Sequence, residues 1–143
     1  PVRFDFSEGL HKERSPDRVQ IMSVYAEDYE KFRRSLVSEW KLAGRRRCSV
    51  RFCGNIPGQD GFPIQVDHVL DRNRFPELIF DRRNTKITCG AHNEIDRTCT
   101  GKTPILARLR FIAIWWPDRE AFAWEESARR GFVSLSEKPK HRF

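Results

Sequence analysis

Two short ligand-bearing turns constrain this chain more than anything else in its sequence. Cys48 and Cys53 form a C-x4-C turn, and "CGAH" places Cys89 and His92 in a C-x2-H turn after 35 intervening residues. Two such turns separated by a loop are how four ligands from distant parts of a chain reach a tetrahedron around one ion. Thiolates and imidazole are borderline-soft donors, which favours zinc over magnesium. Cys48, Cys53, Cys89 and His92 are therefore expected to ligate one structural Zn²⁺, and a chain built this way folds around its ion, because the binding free energy is folding free energy. Cys99, seven residues after His92, is an alternative fourth ligand. Two unrelated pairs of free cysteines are the simpler alternative.

A disulfide framework fits less well. No segment approaches the roughly 18 uncharged apolar residues of a membrane span, and the start has no charged-apolar-small leader pattern. An intracellular location is expected, and there paired cysteines serve metals more often than disulfides.

Around the turns the chain reads as three parts: 1–44, 45–102 and 103–143. In the first, Ser15 is a candidate N-cap with Pro16 at the first helical position, and Tyr25, Tyr29, Phe32, Leu36 and Trp40 recur at helical spacing until Gly44. One long amphipathic helix follows, its aromatic stripe a packing face rather than a base-stacking surface. In the last part, two helical stretches begin at the cap-like Thr103 and Asp118 and end at Pro117 and Gly131, before a basic tail. The middle part lacks helical periodicity. "FPIQVDH" alternates Phe62, Ile64 and Val66 and reads as a strand, and "NTKITC" as a second strand returning to the metal ligands. Eleven Phe and four Trp in 143 residues suffice to bury a core.

Charge is concentrated in the middle. Residues 44–110 carry 13 Lys/Arg against 7 Asp/Glu, whereas 1–43 carry 8 against 8 and 111–143 carry 6 against 5. Arginine outnumbers lysine 20 to 7, and its planar fork suits phosphate oxygens. Nucleic acid is the leading partner, with solubility alone as the simpler explanation of the charge.

The loop between the turns holds Asp67-His68, then "DRRN" with Asp81 and Asn84, then "CGAHN" with Cys89, His92 and Asn93. On a strand, adjacent side chains point to opposite faces, so Asp67 and His68 cannot serve one point unless the strand ends or bends there. Taken in order, these elements resemble the HNH endonuclease family over residues 45 to 100, including the N-x4-C spacing of Asn84 and Cys89. The resemblance implies an α+β fold in which a small zinc-stabilised ββα-metal core is flanked by α-helices at both ends. One departure matters: the family usually ends C-x2-C-H, and this chain has C-x2-H-N. Aligning zinc ligands puts Asn93 where the final histidine stands, an H-N-N variant similar to phage junction-resolving endonucleases. In the other register His92 is the catalytic ligand and Cys99 completes the zinc site.

What the resemblance implies is metal-dependent hydrolysis of DNA phosphodiesters, leaving 5′-phosphate and 3′-hydroxyl ends. His68 is the expected general base, since imidazole titrates near neutral pH. Asp67 and Asn93 are the expected hard-oxygen ligands of one Mg²⁺ or similar divalent ion. Asn84 is expected to hold the loop that orients His68; the simpler reading is a turn residue capping its own backbone. Arg45, Arg46, Arg47, Arg51, Arg72, Arg74, Arg82, Arg83 and Arg97 are candidates for phosphate contacts, though any one of them is ordinary on a surface. Double-stranded and branched DNA are both open as substrates, and so are a monomer and a dimer. The competing expectation is a non-catalytic zinc-ribbon module that only binds nucleic acid.

Overall fold

The computed structural model of the protein describes residues 16–140, with side chains from residue 25 onward. It divides into two units, one ending at Arg45 and the other beginning at Arg46.

The first unit is the helix α1 (Pro16–Leu42). Its stop is a Schellman turn: Gly44 has φ +71°, its N–H reaches the Lys41 carbonyl at 3.0 Å, and the Arg45 N–H reaches that of Trp40 at 3.1 Å. Both bonds use carbonyls that the helix leaves without partners, and the left-handed residue between them is cheap only as glycine. Tyr25, Tyr29, Phe32, Leu36 and Trp40 are each partly or fully withdrawn from solvent. The expected N-cap, Ser15, lies outside the described residues.

The second unit mixes helices with one small sheet. Its order is β1 (Gln65–His68), β2 (Thr85–Thr88), α2 (Asn93–Thr98), α3 (Ile105–Trp115) and α4 (Glu120–Arg129). The strands pair antiparallel, Gln65 with Thr88, Val66 with Ile87, Asp67 with Lys86 and His68 with Thr85. β1 is shorter than the expected run from Phe62, and the ribbon is only four residues long. A two-stranded ribbon of this size is not stable alone, so its partners must come from elsewhere.

They come from the C-terminal helices. Cys48, Val50, Val69, Leu70, Phe75, Leu78, Cys89 and Ile95 share one core with Leu109, Ile112 and Trp116 at α3 and Ala123 and Trp124 on α4. The segments 45–102 and 103–143 therefore contribute to a single core. The first cysteine turn is sewn to both neighbours: the Ser49 N–H donates to the Ile87 carbonyl at 3.0 Å, the Arg51 N–H to the Trp115 carbonyl at 2.9 Å, and the Trp116 indole to Ser49 Oγ at 3.0 Å.

Two cap expectations are corrected. α3 is capped by Pro104 with no side-chain bond, so Thr103 does not cap it. α4 is entered through a 3-10 turn (Pro117–Arg119), and Asp118 instead receives the Lys86 ammonium from β2. That contact ties the entry of α4 to the ribbon, which local spacing does not reveal. α4 ends at Arg129, and its stop turn runs through the expected Gly131, after which the Phe132 N–H reaches the Ser127 carbonyl at 2.9 Å.

A chain cut after Lys102 is deprived of the five core residues contributed from Leu109 onward. It is expected to give no cooperative thermal melt by circular dichroism even with added zinc, whereas residues 46–140 should melt cooperatively. A native-like melt of the shorter piece would show that the ribbon and loops suffice.

Candidate functional site

The four expected soft ligands converge. One donor atom each from Cys48, Cys53, Cys89 and His92 lies within 4.8 Å of the others. Individual separations are 3.4 Å for Cys48 Sγ to His92 Nε2, 3.6 Å for Cys89 Sγ to His92 Nε2 and 3.9 Å for Cys53 Sγ to Cys89 Sγ. A tetrahedron with Zn–S near 2.3 Å and Zn–N near 2.0 Å has edges of about 3.8 Å between sulfurs and about 3.5 Å between sulfur and nitrogen. The cluster therefore could hold a metal ion such as zinc. Cys99 stands apart from it: its thiol faces the His68 carbonyl at 3.5 Å.

Local geometry aims these donors. Gly90 has φ +74°, and a Cβ there would meet Pro63 Cγ at 2.7 Å, so the turn from Cys89 to His92 needs glycine on both counts. Asn55 donates to Cys89 Sγ at 3.4 Å, and the Cys48 N–H to the Asn55 carbonyl at 2.8 Å. Burial pushes the Cys48 thiol up to about 12, with the neighbouring sulfurs adding to it. Burial also raises Cys89, but hydrogen bonds from Asn55, the Ala91 backbone and the other sulfurs outweigh it and leave that thiol below its ordinary value. Burial of the thiols favours their neutral forms, and a bound cation would favour the thiolates.

The acid-histidine pair lies next to this centre and splits across the ribbon. Asp67 is buried; its Oδ2 accepts from Thr88 Oγ1 at 2.6 Å and its Oδ1 from Gln65 Nε2 at 2.6 Å. Gln65 Nε2 also approaches Asp96 Oδ1 at 3.3 Å. Burial raises the Asp67 carboxyl, the bonds from Thr88 and Gln65 pull it down, and the Asp96 charge raises it further, for a net rise. His68 points the other way. Its Nε2 lies 3.2 Å from the Ile79 carbonyl, and since a carbonyl only accepts, Nε2 carries the proton and Nδ1 is the basic nitrogen. Burial lowers the imidazole below its ordinary 6.5, the Ile79 carbonyl works against this, and the Arg72 and Arg108 charges add to the lowering. Burial and the two cations thus favour the neutral imidazole.

Asn84 is buried and bonds well beyond its own turn. Its Oδ1 accepts from the Leu70 N–H at 2.8 Å, and its Nδ2 donates to the carbonyls of Leu70 at 3.1 Å and Leu78 at 3.2 Å. It clasps both ends of the loop that supplies the Ile79 carbonyl to His68. Asp81 caps the short turn before Asn84, accepting from the Arg83 N–H at 2.9 Å. Asn93 is exposed at the first turn of α2, three residues before Asp96. Residues three apart share a helix face, so Asn93 lies on the side of α2 that reaches Asp67 through Gln65.

The arginines divide. Arg74 Nε is 2.8 Å from the buried Asp71 carboxylate, and Arg83 grips Asp81 at 2.7 Å while lying over the Phe122 ring. Both are paired with a neighbouring acid, but only Arg74 is largely withdrawn from solvent, whereas Arg83 stays exposed. Arg72 is partly buried, while Arg46, Arg47, Arg51, Arg82 and Arg97 are exposed, as is Arg45 in the first unit.

Three residues were not singled out by sequence. Gln65 and Asp96 stand beside Asp67, and their signals, two residues along one strand and three along one helix, are too common to notice. Arg108 carries no signal at all. It is fully buried on α3 and donates to the carbonyls of Val69 at 2.9 Å, Ile95 at 3.0 Å and His68 at 2.8 Å, and to Thr98 Oγ1 at 2.8 Å. It joins the end of β1 to α2.

The 143-residue chain is expected to carry about one zinc. Cys48→Ser, Cys89→Ser and His92→Ala should lose the metal and lower the melting temperature together, while Cys99→Ser should keep both. Zinc retention in His92→Ala with loss in Cys99→Ser would reverse the ligand assignment. No protein-family model matches this chain, and no curated protein or solved structure is significantly similar to it.

Proposed function

We propose that this chain is a metal-dependent DNA endonuclease of the HNH type, built on a zinc-stabilised ββα-metal core. The observation that carries the reading is the buried carboxyl and partly buried histidine on successive residues at the end of β1, with Asn84 clasping the loop that His68 contacts and Arg108 bonding the His68 carbonyl. A structural metal turn needs neither residue, and burying a carboxylate and lowering an imidazole both cost stability.

His68 would act as the general base through Nδ1, with Nε2–H donated to the Ile79 carbonyl. Asp67 and Asn93 would hold a Mg²⁺-like ion, with Asp96 adjacent through Gln65. These are hard oxygen donors, and the raised Asp67 carboxyl beside a second carboxylate suits a divalent cation better than two free anions. Such an ion, when bound, stabilises charge on the phosphate and the leaving oxygen. In-line displacement needs base and leaving-group assistance on opposite sides of the phosphorus. His68 is the last residue of β1, and the strand end is what would let it and Asp67 approach one phosphate from different sides. Asn84 keeps the His68 loop in place without touching substrate. Arg46, Arg47, Arg51, Arg82 and Arg97 supply phosphate contacts, which position DNA without reading sequence.

The non-catalytic alternative, a zinc-ribbon module that only binds nucleic acid, is separated by one assay. Supercoiled plasmid is incubated with the protein and Mg²⁺ or Mn²⁺. His68→Ala is expected to lower nicking by about 10²- to 10⁴-fold while leaving DNA affinity nearly unchanged. Equal nicking by His68→Ala, or none by the wild type with any divalent ion, would leave the binding module standing.

Asn93→Ala should keep zinc and the melting temperature and raise the Mg²⁺ concentration needed for half-maximal nicking, and Asn93→His should recover part of that loss. Charge reversal at Arg46, Arg47 and Arg51 should weaken binding and flatten its dependence on salt, by about one unit of log–log slope for each phosphate left without its cation. An unaltered slope would remove those arginines from the interface.

A further inference from the structure

The tip of the first cysteine turn has a feature that neither metal ligation nor folding requires. Phe52 sits between Arg51 and Cys53 with φ +65°, in the left-handed region, and is 92 % exposed. For a bulky residue that conformation is unfavourable, and glycine or asparagine would make the same turn with less strain. Burial does not compensate, since nearly all of the ring faces solvent. The turn itself is firmly placed: Cys53 N–H donates to the Val50 carbonyl at 3.0 Å, and Arg51 N–H to the Trp115 carbonyl at 2.9 Å. Two candidate metal ligands, Cys48 and Cys53, bracket it.

The Arg51 guanidinium carbon lies 4.7 Å from the Phe52 ring centroid. The ring is therefore backed on one face by a cation, and its high exposure leaves the other face open. Arg46 and Arg47, also exposed, precede Cys48 in the same unit. An exposed aromatic face backed by one arginine, with two more exposed arginines a few residues earlier in the chain, has the parts by which proteins stack a base while cations hold the adjoining phosphates. A protein partner would be matched by an apolar patch around the ring, whereas Arg46, Arg47 and Arg51 stand beside it in the chain.

We propose that Phe52 is a stacking platform for an unpaired DNA base, with Arg51 behind the ring and Arg46 and Arg47 on the backbone, so that the protein prefers DNA carrying an unstacked nucleotide. The inference takes DNA as the partner from the proposed function but not the hydrolytic chemistry. A fully paired duplex offers no free base face, so the preference is for bulged, branched or single-stranded sites.

The test uses the zinc-loaded 143-residue chain without Mg²⁺, so that binding is read without cleavage. Anisotropy is measured on a paired duplex and on the same duplex with one bulged 2-aminopurine, whose fluorescence falls on stacking. Phe52→Ala is expected to weaken bulge binding about 5- to 100-fold and paired-duplex binding less than about 2-fold, and to abolish the quenching. Phe52→Trp should retain both. Phe52→Gly should melt at or above the wild-type temperature, since it relieves the left-handed residue, yet lose the preference. Unchanged bulge affinity and quenching in Phe52→Ala, or equal weakening on both DNAs, would overturn the proposal. Failure of the hydrolytic reading is separately visible: a wild type that never nicks but keeps a Phe52-dependent bulge preference loses the nuclease and retains the platform.

Discussion

One buried guanidinium holds the polar part of this molecule together. Arg108 enters from α3 and donates to His68 and Val69 where β1 ends, and to Ile95 and Thr98 on α2. Neither element is robust by itself. A four-residue ribbon and a six-residue helix lie below the lengths at which either stands unaided. Arginine suits the task because its planar fork offers several donors in fixed directions, which can satisfy carbonyls from two elements at once. Trp115 and Trp116 lie near its charge, 5.4 and 5.9 Å from the guanidinium carbon, and the rings favour a cation there.

From that clamp follows the division of the ribbon into two environments. Gln65, Asp67 and Thr88 form a hydrogen-bonded row that reaches Asp96 on α2. His68 instead meets the loop that Asn84 clasps. Burial acts on both titratable groups in the direction that discharges them, raising Asp67 and lowering His68. A neutral imidazole is ready to take a proton as it stands, whereas the carboxyl gains its charge most easily beside a cation. The soft-donor cluster is tied to the same row, because Thr88, which donates to Asp67, directly precedes Cys89.

The surface continues this sorting of charge by partner. Arg74 and Arg83 are paired with Asp71 and Asp81, the first largely buried and the second exposed, while Arg46, Arg47 and Arg51 are exposed beside or within a cysteine turn whose tip is an exposed phenylalanine. Exposed arginines beside an aromatic ring suit a ligand with phosphates and flat faces. Their nearness in sequence made the cluster noticeable, and only the conformation at Phe52 distinguished a ring offered to solvent from one tucked into the core.

What could be read from the sequence was what short-range physics writes there. Ligand spacing within each cysteine turn, the glycine stop of α1 and the order of the two strands all depend on residues a few positions apart, so composition and spacing carried them. The core role of α3 and α4 did not show, because their apolar residues are equally compatible with a separate bundle. Thr103 and Asp118 had the chemistry of caps, but Asp118 went to Lys86, a contact 32 residues away that no local rule weighs. Arg108 is the clearest case. Its partners at β1 lie 39 and 40 residues earlier, and an arginine within an apolar helix reads as a solvated face until the fold surrounds it. The sequence by itself determined which atoms could bind a soft metal and where the chain turns; the tertiary structure decided which buried charge joins the end of β1 to α2, because the stabilisation of a buried cation depends on carbonyls that come together only once the chain is folded.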